Sequence, residues 1–231
     1  MIEQNLQPLP KWSRIALFWG AALLLYIIMM LIPYPHIPDL LFGFGMIGIL
    51  GGLYGKPRLK TFLRPMKRGK KRMFFLLLFL SYVAAYTPAI LLFLFGFSGN
   101  AHPASQSLPD YSIPQFLLYL LVTFFGMIGE ELLIAVFTFP LWGWLKAKGM
   151  RSSRAFLISA ILGSLIFGLF HLPTYQWNWL QCILIIGLAR LPFTYAWREM
   201  DSLWGGILVH YLFDILLFTL VYWGSSLGVA Y

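Results

Sequence analysis

The chain has 231 residues, of which 60% are hydrophobic and 11% are charged, and its formal net charge is +9. Soluble domains carry about 25% charged residues, so this composition excludes an ordinary soluble domain. Several apolar runs reach about 18 residues, which is the length that crosses a membrane as a helix. We therefore predict an all-α fold, a polytopic membrane helical bundle with about seven transmembrane helices, in a single integral membrane domain covering residues 1–231.

The apolar runs divide the chain into spans. In chain order we predict seven of them, at residues 15–32, 37–55, 73–97, 114–141, 155–175, 178–197 and 203–223. Pro33, Pro35 and Pro38 predict a short loop between the first two spans, because proline disfavours continuation of a helix. The segment 98–112 is rich in Gly, Ser, Pro and Asn, and it predicts an exposed loop.

Lysine and arginine are concentrated in alternate loops of this topology. Lys11 and Arg14 precede the first span, basic residues fill 56–72 and 146–154, and Arg198 follows the sixth span. The positive-inside rule then predicts a cytoplasmic N-terminus and an outside C-terminus. We expect the membrane to be a bacterial cytoplasmic membrane. The basic loops also account for the net charge, since they would contact anionic headgroups of the lipid bilayer. Nucleic acid is therefore not expected as a partner.

Ionisable side chains inside membrane spans are rare, because an ionised group at the centre of the bilayer costs at least about 2.5 kcal/mol. The last four predicted spans contain six ionisable residues: Glu130, Glu131, His171, Arg190, His210 and Asp214. Glu130 and Glu131 are about 100° apart around their helix, so one can face a cavity while the other faces a neighbouring helix. His210 and Asp214 are four residues apart and share one helix face.

These residue types predict hydrolytic chemistry. A carboxylate beside an imidazole can take a proton from water and make the water nucleophilic. Histidine and acid side chains can also stabilise the oxyanion of a tetrahedral intermediate. Two other interpretations stay open from the residues alone. One is a zinc site, although the H-E-x-x-H helix of common zinc proteases is missing, and the other is hydrogen bonding that only holds helices together.

Three short motifs follow one another on separate predicted spans: Glu130-Glu131-Leu132-Leu133-Ile134-Ala135, Phe167-Gly168-Leu169-Phe170-His171 and His210-Tyr211-Leu212-Phe213-Asp214. They resemble the E-E-x-x-x-R, F-x-x-x-H and H-x-x-x-N or D motifs of the CPBP family. This family comprises CAAX prenyl proteases of the type that cleave inside the membrane, together with bacteriocin-processing and immunity relatives. The resemblance covers residues 114–223, which would form a CPBP-like catalytic core.

The resemblance implies a glutamate-dependent intramembrane endopeptidase that uses no metal and no other cofactor. By this resemblance Glu130 and His171 would activate the water, while His210 and Asp214 would stabilise the oxyanion. The substrate would be a membrane protein or peptide with a hydrophobic tail. Asp214 stands where many relatives have asparagine, and an ionised aspartate would repel an oxyanion. We therefore expect Asp214 to be protonated, or to orient His210 and favour its cationic form.

The chain departs from the family pattern at the motif arginine, because Ala135 stands in its place. Glu131 would be a supporting residue tied to that arginine, and an unpaired buried carboxylate must become protonated or find another partner. We hypothesise that Arg190, in the sixth span, is this partner, with Phe167 as a further supporting residue. The alternative is that Arg190 lies nearer the cytoplasmic end and extends to the interface.

The missing arginine also leaves a second function open. The chain could be a catalytically inactive CPBP relative that acts as a bacteriocin-immunity or membrane scaffold protein. A transporter or proton relay would use the same buried acids. The spans show neither repeated halves nor matched Gly/Pro breaks, which disfavours a transporter.

Overall fold

The fold is known from a computed structural model that describes residues 2–32 and 36–226. In these residues all regular structure is helical, which confirms the predicted class. The α-helices are α1 Trp12–Leu31, α2 Ile37–Tyr54, α3 Lys56–Phe62, α4 Lys71–Leu94, α5 Pro103–Ser107, α6 Ile113–Ala147, α7 Ser152–Phe170, α8 Leu188–Met200 and α9 Leu203–Ser226. Among the described residues, six of these helices are long and apolar enough to cross a membrane, namely α1, α2, α4, α6, α7 and α9.

The predicted sixth span, residues 178–197, consists of two consecutive helical segments of different type in the structure. A π-helix at Gln181–Gly187 continues directly into α8. The π-helix packs closely on α7, since a Cβ atom at Gly187 would lie 3.1 Å from the carbonyl oxygen of Ser164. Small residues allow such close approach of helix backbones in membrane proteins. Together with the six apolar helices, this run is consistent with about seven crossings.

Other predicted span ends differ from the structure in ways that proline explains. The fifth span was expected to reach residue 175, but α7 ends at Phe170, ahead of Pro173, because the residue before a proline disfavours helical backbone. Pro38 was expected in a loop, but it lies in the first turn of α2, where its missing N–H needs no partner. Pro33 and Pro35 lie outside the described residues.

The basic loops meet at one end of the bundle. We call it the basic end, and it comprises residues 2–11, 55–72, 146–154 and 198–202. There Arg64 forms an ion pair with Asp201, and Lys146 Nζ lies 2.7 Å from Glu3 Oε1. The predicted seven-span topology requires these loops to lie on one face, and the contacts agree with it.

The predicted loop 98–112 covers the opposite end of the bundle. It contains α5 and a 3-10 turn at Leu108–Asp110. Two hydrogen bonds fasten it to the start of the π-helix: the backbone N–H of Asn100 donates to Gln181 Oε1 at 2.7 Å, and Gln181 Nε2 donates to the carbonyl oxygen of Asn100 at 2.9 Å. Much of the segment is exposed, as predicted.

Helix α6 is the central element of the bundle. Several of its residues are completely buried, among them Leu132, Ile134 and Val136. Glycines bring α2 close to it, since a Cβ atom at Gly43 would lie 2.6 Å from the carbonyl oxygen of Phe125. The two neighbouring glutamates are therefore carried on the helix that the other spans surround.

Candidate active site

A cavity of about 630 Å³ opens beside the middle of α6. Its apolar walls come from α4 and α9, through Ala85, Ala89, Phe213, Leu217, Phe218 and Val221, and from the π-helix and α8, through Ile185, Ile186, Ala189 and Phe193. Helices α4 and α9 both start at the basic end, and all of these residues of theirs except Phe213 lie in the second half of the helix. The cavity therefore extends from the middle of the bundle towards the end opposite the basic loops. Its polar residues include Glu130, His171, His210 and Asp214.

Glu130 faces this cavity, and 26% of its side chain is exposed. Its Oε2 atom lies 4.0 Å from His171 Nε2 and 3.8 Å from His210 Nε2. A hydrogen bond to water spans about 2.8 Å, so one water molecule can contact Glu130 and His171 at the same time. Glu130 thus has the position that activation of a water would require.

His171 is the C-cap of α7, the residue directly after the helix, and a backbone group defines the orientation of its ring. Its Nδ1 atom lies 2.8 Å from the carbonyl oxygen of Phe167. A carbonyl oxygen can only accept, so Nδ1 must carry the proton, and Nε2 of the neutral ring is an acceptor. The ring also packs on Phe167, with ring centroids 4.3 Å apart. The acceptor nitrogen of His171 is therefore the one nearest Glu130.

His210 lies between two carboxylates. Its Nδ1 atom is 3.0 Å from Glu131 Oε1, and its Nε2 atom is 3.4 Å from Asp214 Oδ2. The ring stacks on Phe193 at a centroid distance of 4.4 Å. The hydrogen bond to Glu131 and this stacking hold the ring, whereas the orienting role of Asp214 stays a prediction.

Glu131 and Arg190 form a sealed pair beneath the cavity, and neither side chain is exposed (0% for both). Arg190 Nη1 donates to Glu131 Oε1, so the predicted contact between them is present. Arg190 is buried rather than extended to the interface. Trp197 Nε1 donates to the second carboxylate oxygen, Glu131 Oε2, at 2.6 Å. With His210, Glu131 has three donors, which is what an ionised buried carboxylate needs.

The remaining surroundings of Arg190 are aromatic. Its guanidinium carbon lies 4.8 Å from the ring centroid of Phe167 and 5.2 Å from that of Trp197. Among the described residues, Arg190 Nε and Nη2 have no hydrogen-bond partner. Cation–π attraction partly replaces those bonds. Phe167 thus contacts both His171 and Arg190, which connects the cavity with the sealed pair.

The structure brings all the residues singled out in the sequence into this one region: Glu130, Glu131, Phe167, His171, Arg190, His210 and Asp214. In the described part of the chain, no group of three or more His, Cys, Asp or Glu side chains is arranged to hold a metal ion. Glu130 and the two histidines are close together, because Glu130 Oε2 lies 4.0 Å from His171 Nε2 and 3.8 Å from His210 Nε2.

Sequence reasoning overlooked three further residues. Asp39 lines the cavity. It could have been recognised in the sequence, because it is an acid inside the predicted second span. Trp197 could have been found from its place seven residues after Arg190, on the same helix face. His102 also lines the cavity, but nothing local marks it. Burial and then nearby His171 lower the pKa of His102 to about 4, so it is neutral at pH 7.

Comparison with known proteins agrees with this arrangement. The fold and the polar cavity define an integral membrane protein with a group of acids and histidines on its central helices. The family model described as type II CAAX prenyl endopeptidase Rce1-like matches residues 112–216 of the chain. The predicted resemblance is thereby confirmed, and the family supports a CAAX-protease type of function. No curated protein and no solved structure matches the chain.

Proposed function

We propose that this protein is an intramembrane endopeptidase in which Glu130 activates a water molecule for attack on a peptide bond. One observation carries the proposal. The Glu130 carboxylate faces the Nε2 atoms of both His171 and His210, at 4.0 and 3.8 Å, inside a cavity with apolar walls. The match of the surrounding segment to a family of endopeptidases supports the same class.

The first chemical step takes place between Glu130 and His171. A water molecule donates one hydrogen bond to Glu130 and the other to the acceptor nitrogen of His171. Glu130 takes a proton as general base, and the hydroxide attacks the carbonyl carbon of the scissile bond. The low polarity of the cavity walls keeps other water away from the reacting groups.

The second step stabilises the tetrahedral intermediate and resolves it. Protonated His210 donates from Nε2 to the oxyanion, with Asp214 beside the same nitrogen. Glu130 then passes its proton to the leaving nitrogen, the carbon–nitrogen bond breaks, and an amine and a carboxylic acid result. No electrons are exchanged and no other reactant is consumed.

Glu131 acts through His210 in this proposal and is a positioning residue. It accepts a hydrogen bond from Nδ1–H of His210 and keeps the ring turned towards the cavity. Arg190 and Trp197 hold Glu131 in the ionised form that this requires. The buried Arg190 beside Glu131 supports an active enzyme, although position 135 is alanine.

The substrate class follows from the cavity walls. Aliphatic and aromatic side chains of α4 and α9 suit an apolar segment, so the substrate is a membrane protein or peptide with a hydrophobic tail. With the N-terminus in the cytoplasm, the cavity lies in the outer half of a bacterial cytoplasmic membrane. A peptide precursor or a protein with a C-terminal sorting helix fits this location.

The alternative is a catalytically inactive CPBP relative that serves as a bacteriocin-immunity or membrane scaffold protein. The absence of the motif arginine at Ala135 is the observation that favours it. Such a protein would bind a membrane partner without cleaving it, and binding would not depend on proton transfer by Glu130.

One experiment separates these functions. The wild type, Glu130→Gln and His210→Ala are reconstituted in liposomes with a library of membrane peptides, and cleavage is followed by mass spectrometry. We expect cleavage by the wild type but not by Glu130→Gln or His210→Ala, and we expect it to persist in the presence of a metal chelator. Glu199→Gln, at the basic end, is the matched control and should cleave like the wild type. Partner binding without cleavage in all four proteins would favour the scaffold, and cleavage by Glu130→Gln would contradict the mechanism.

A further inference from the structure

Asp39 lies against α6 at Gly126, one helical turn before Glu130. It is the third residue of α2, and it packs over Gly126 of α6, where a Cβ atom would lie 2.6 Å from Asp39 Oδ1. Gly126 precedes Glu130 by four residues, so both positions are on one face of α6. Asp39 therefore faces the same space as Glu130, on the side away from the basic end.

A second, smaller cavity of about 250 Å³ adjoins the main one at this point. Its walls are apolar or weakly polar and come mostly from α1, α2 and α7, through Tyr26, Met29, Met30, Phe42 and Phe170. Asp39, Glu130 and His171 line both cavities. A substrate backbone lying against Glu130 would thus place residues on opposite sides of the scissile bond into different cavities.

The charge of this region is unbalanced. No lysine or arginine lines either cavity among the described residues. The side chain of Asp39 forms no hydrogen bond or ion pair with any residue of 2–32 or 36–226. The buried cation closest to the site, Arg190, is sealed against Glu131. An ionised carboxylate without a partner in an apolar setting costs free energy, which a cationic ligand would recover.

We infer that Asp39 determines specificity by binding a lysine or arginine side chain of the substrate, next to the scissile bond, in the smaller cavity. Lysine and arginine combine a long apolar stem with a charged head. The stem would pack on Tyr26 and the methionines of α1, and the head would reach Asp39. A glutamate or aspartate at the same substrate position would be repelled by both Asp39 and Glu130. This inference rests on the proposed function, since it assigns a subsite to that reaction.

The test compares membrane peptides that are identical except at the residues flanking the cleaved bond, where lysine, methionine or glutamate is placed. For the wild type we expect kcat/KM about tenfold or more higher with lysine than with methionine, through a lower KM, and lowest with glutamate. Asp39→Asn should bring the kcat/KM values of the lysine and methionine peptides within about twofold of each other. Asp110→Asn, which changes an exposed aspartate, is the control.

A binding measurement tests the same inference without requiring cleavage. The Glu130→Gln variant in lipid nanodiscs is titrated with fluorescently labelled lysine and methionine peptides. The titration is repeated with the double variant that carries both Glu130→Gln and Asp39→Asn. Tighter binding of the lysine peptide that disappears with Asp39→Asn supports the inference. Equal binding of both peptides overturns it, even if cleavage depends on Glu130 as proposed. Cleavage that survives Glu130→Gln overturns the proposed function instead, whatever the peptide preference.

Discussion

Glu130 and Glu131 are adjacent in the chain and have opposite environments. The Glu130 side chain is 26% exposed and faces a cavity. Its carboxylate forms no hydrogen bond with a described residue. Glu131 is fully buried and accepts hydrogen bonds from Arg190, Trp197 and His210. A rotation of about 100° between successive helix positions is enough to produce this difference.

In the proposed mechanism, these two environments on one helix suit two different roles of a carboxylate, proton transfer for Glu130 and positioning of a neighbour for Glu131. A carboxylate that transfers protons must reach water and must be able to change its protonation state. A carboxylate that positions a neighbour must keep its charge, so it is surrounded by donors. The predictions below separate these roles by their different effects on stability and on cleavage.

The largest effect is expected for Arg190→Ala. Removing one partner of a fully buried ion pair leaves an uncompensated charge and costs about 3–5 kcal/mol. Thermal unfolding in detergent should show a strongly destabilised protein that does not cleave. Adding Ala135→Arg, one turn from Glu131 on α6, should recover part of both stability and cleavage. If the double variant is no better than Arg190→Ala, the arginine cannot be replaced from that position.

Glu130→Gln should have the opposite pattern. We expect a loss of about 10²–10⁴-fold in the rate of cleavage, because an amide cannot act as general base. The unfolding temperature should stay near that of the wild type, since no buried partner is lost. Glu131→Gln is the paired measurement, and it should lower both quantities. Similar stability losses in the two variants would contradict the division of roles.

Trp197→Phe should have an intermediate effect. It keeps the aromatic packing under Arg190 but removes one donor to Glu131, at a cost of about 1–3 kcal/mol. Cleavage should fall mainly through kcat, because the orientation of His210 is affected and substrate contacts are not. The change is measured by the kcat and KM of reconstituted protein together with its unfolding temperature. An increase in KM at constant kcat would argue against a positioning role.

The smallest effect is expected for Lys146→Met at the basic end. Its ion pair with Glu3 is partly exposed, and such pairs contribute about 0–1 kcal/mol. The unfolding temperature and the cleavage rate should both remain close to the wild type. A large destabilisation would mean that the basic end, and not only the sealed pair, stabilises the bundle through its charges.

Much of this arrangement could be predicted from local pattern. The length of the apolar runs determined a helical membrane protein, because a helix satisfies its own backbone hydrogen bonds in lipid. The partner of Glu131 could be deduced because charged residues are so scarce in the spans that Arg190 was the only cation available there. The family motifs determined which acids and histidines belong together.

Other features required the tertiary structure. The π-helix at Gln181–Gly187 depends on close packing against α7, and periodicity does not reveal it. His102 reaches the cavity because segment 98–112 folds over the far end of the bundle. Asp39 was visible in the sequence, but its closeness to Glu130 arises from the packing of α2 on α6 over Gly126.

The sequence by itself thus determined the class of protein, the approximate spans and the candidate site residues, because each of these follows from composition or from spacing along one helix. Only the tertiary structure decided which acid is open and which is sealed, and which further side chains share the cavity. The physical reason is that a cavity is the space between helices far apart in sequence, and its lining depends on how closely their backbones approach.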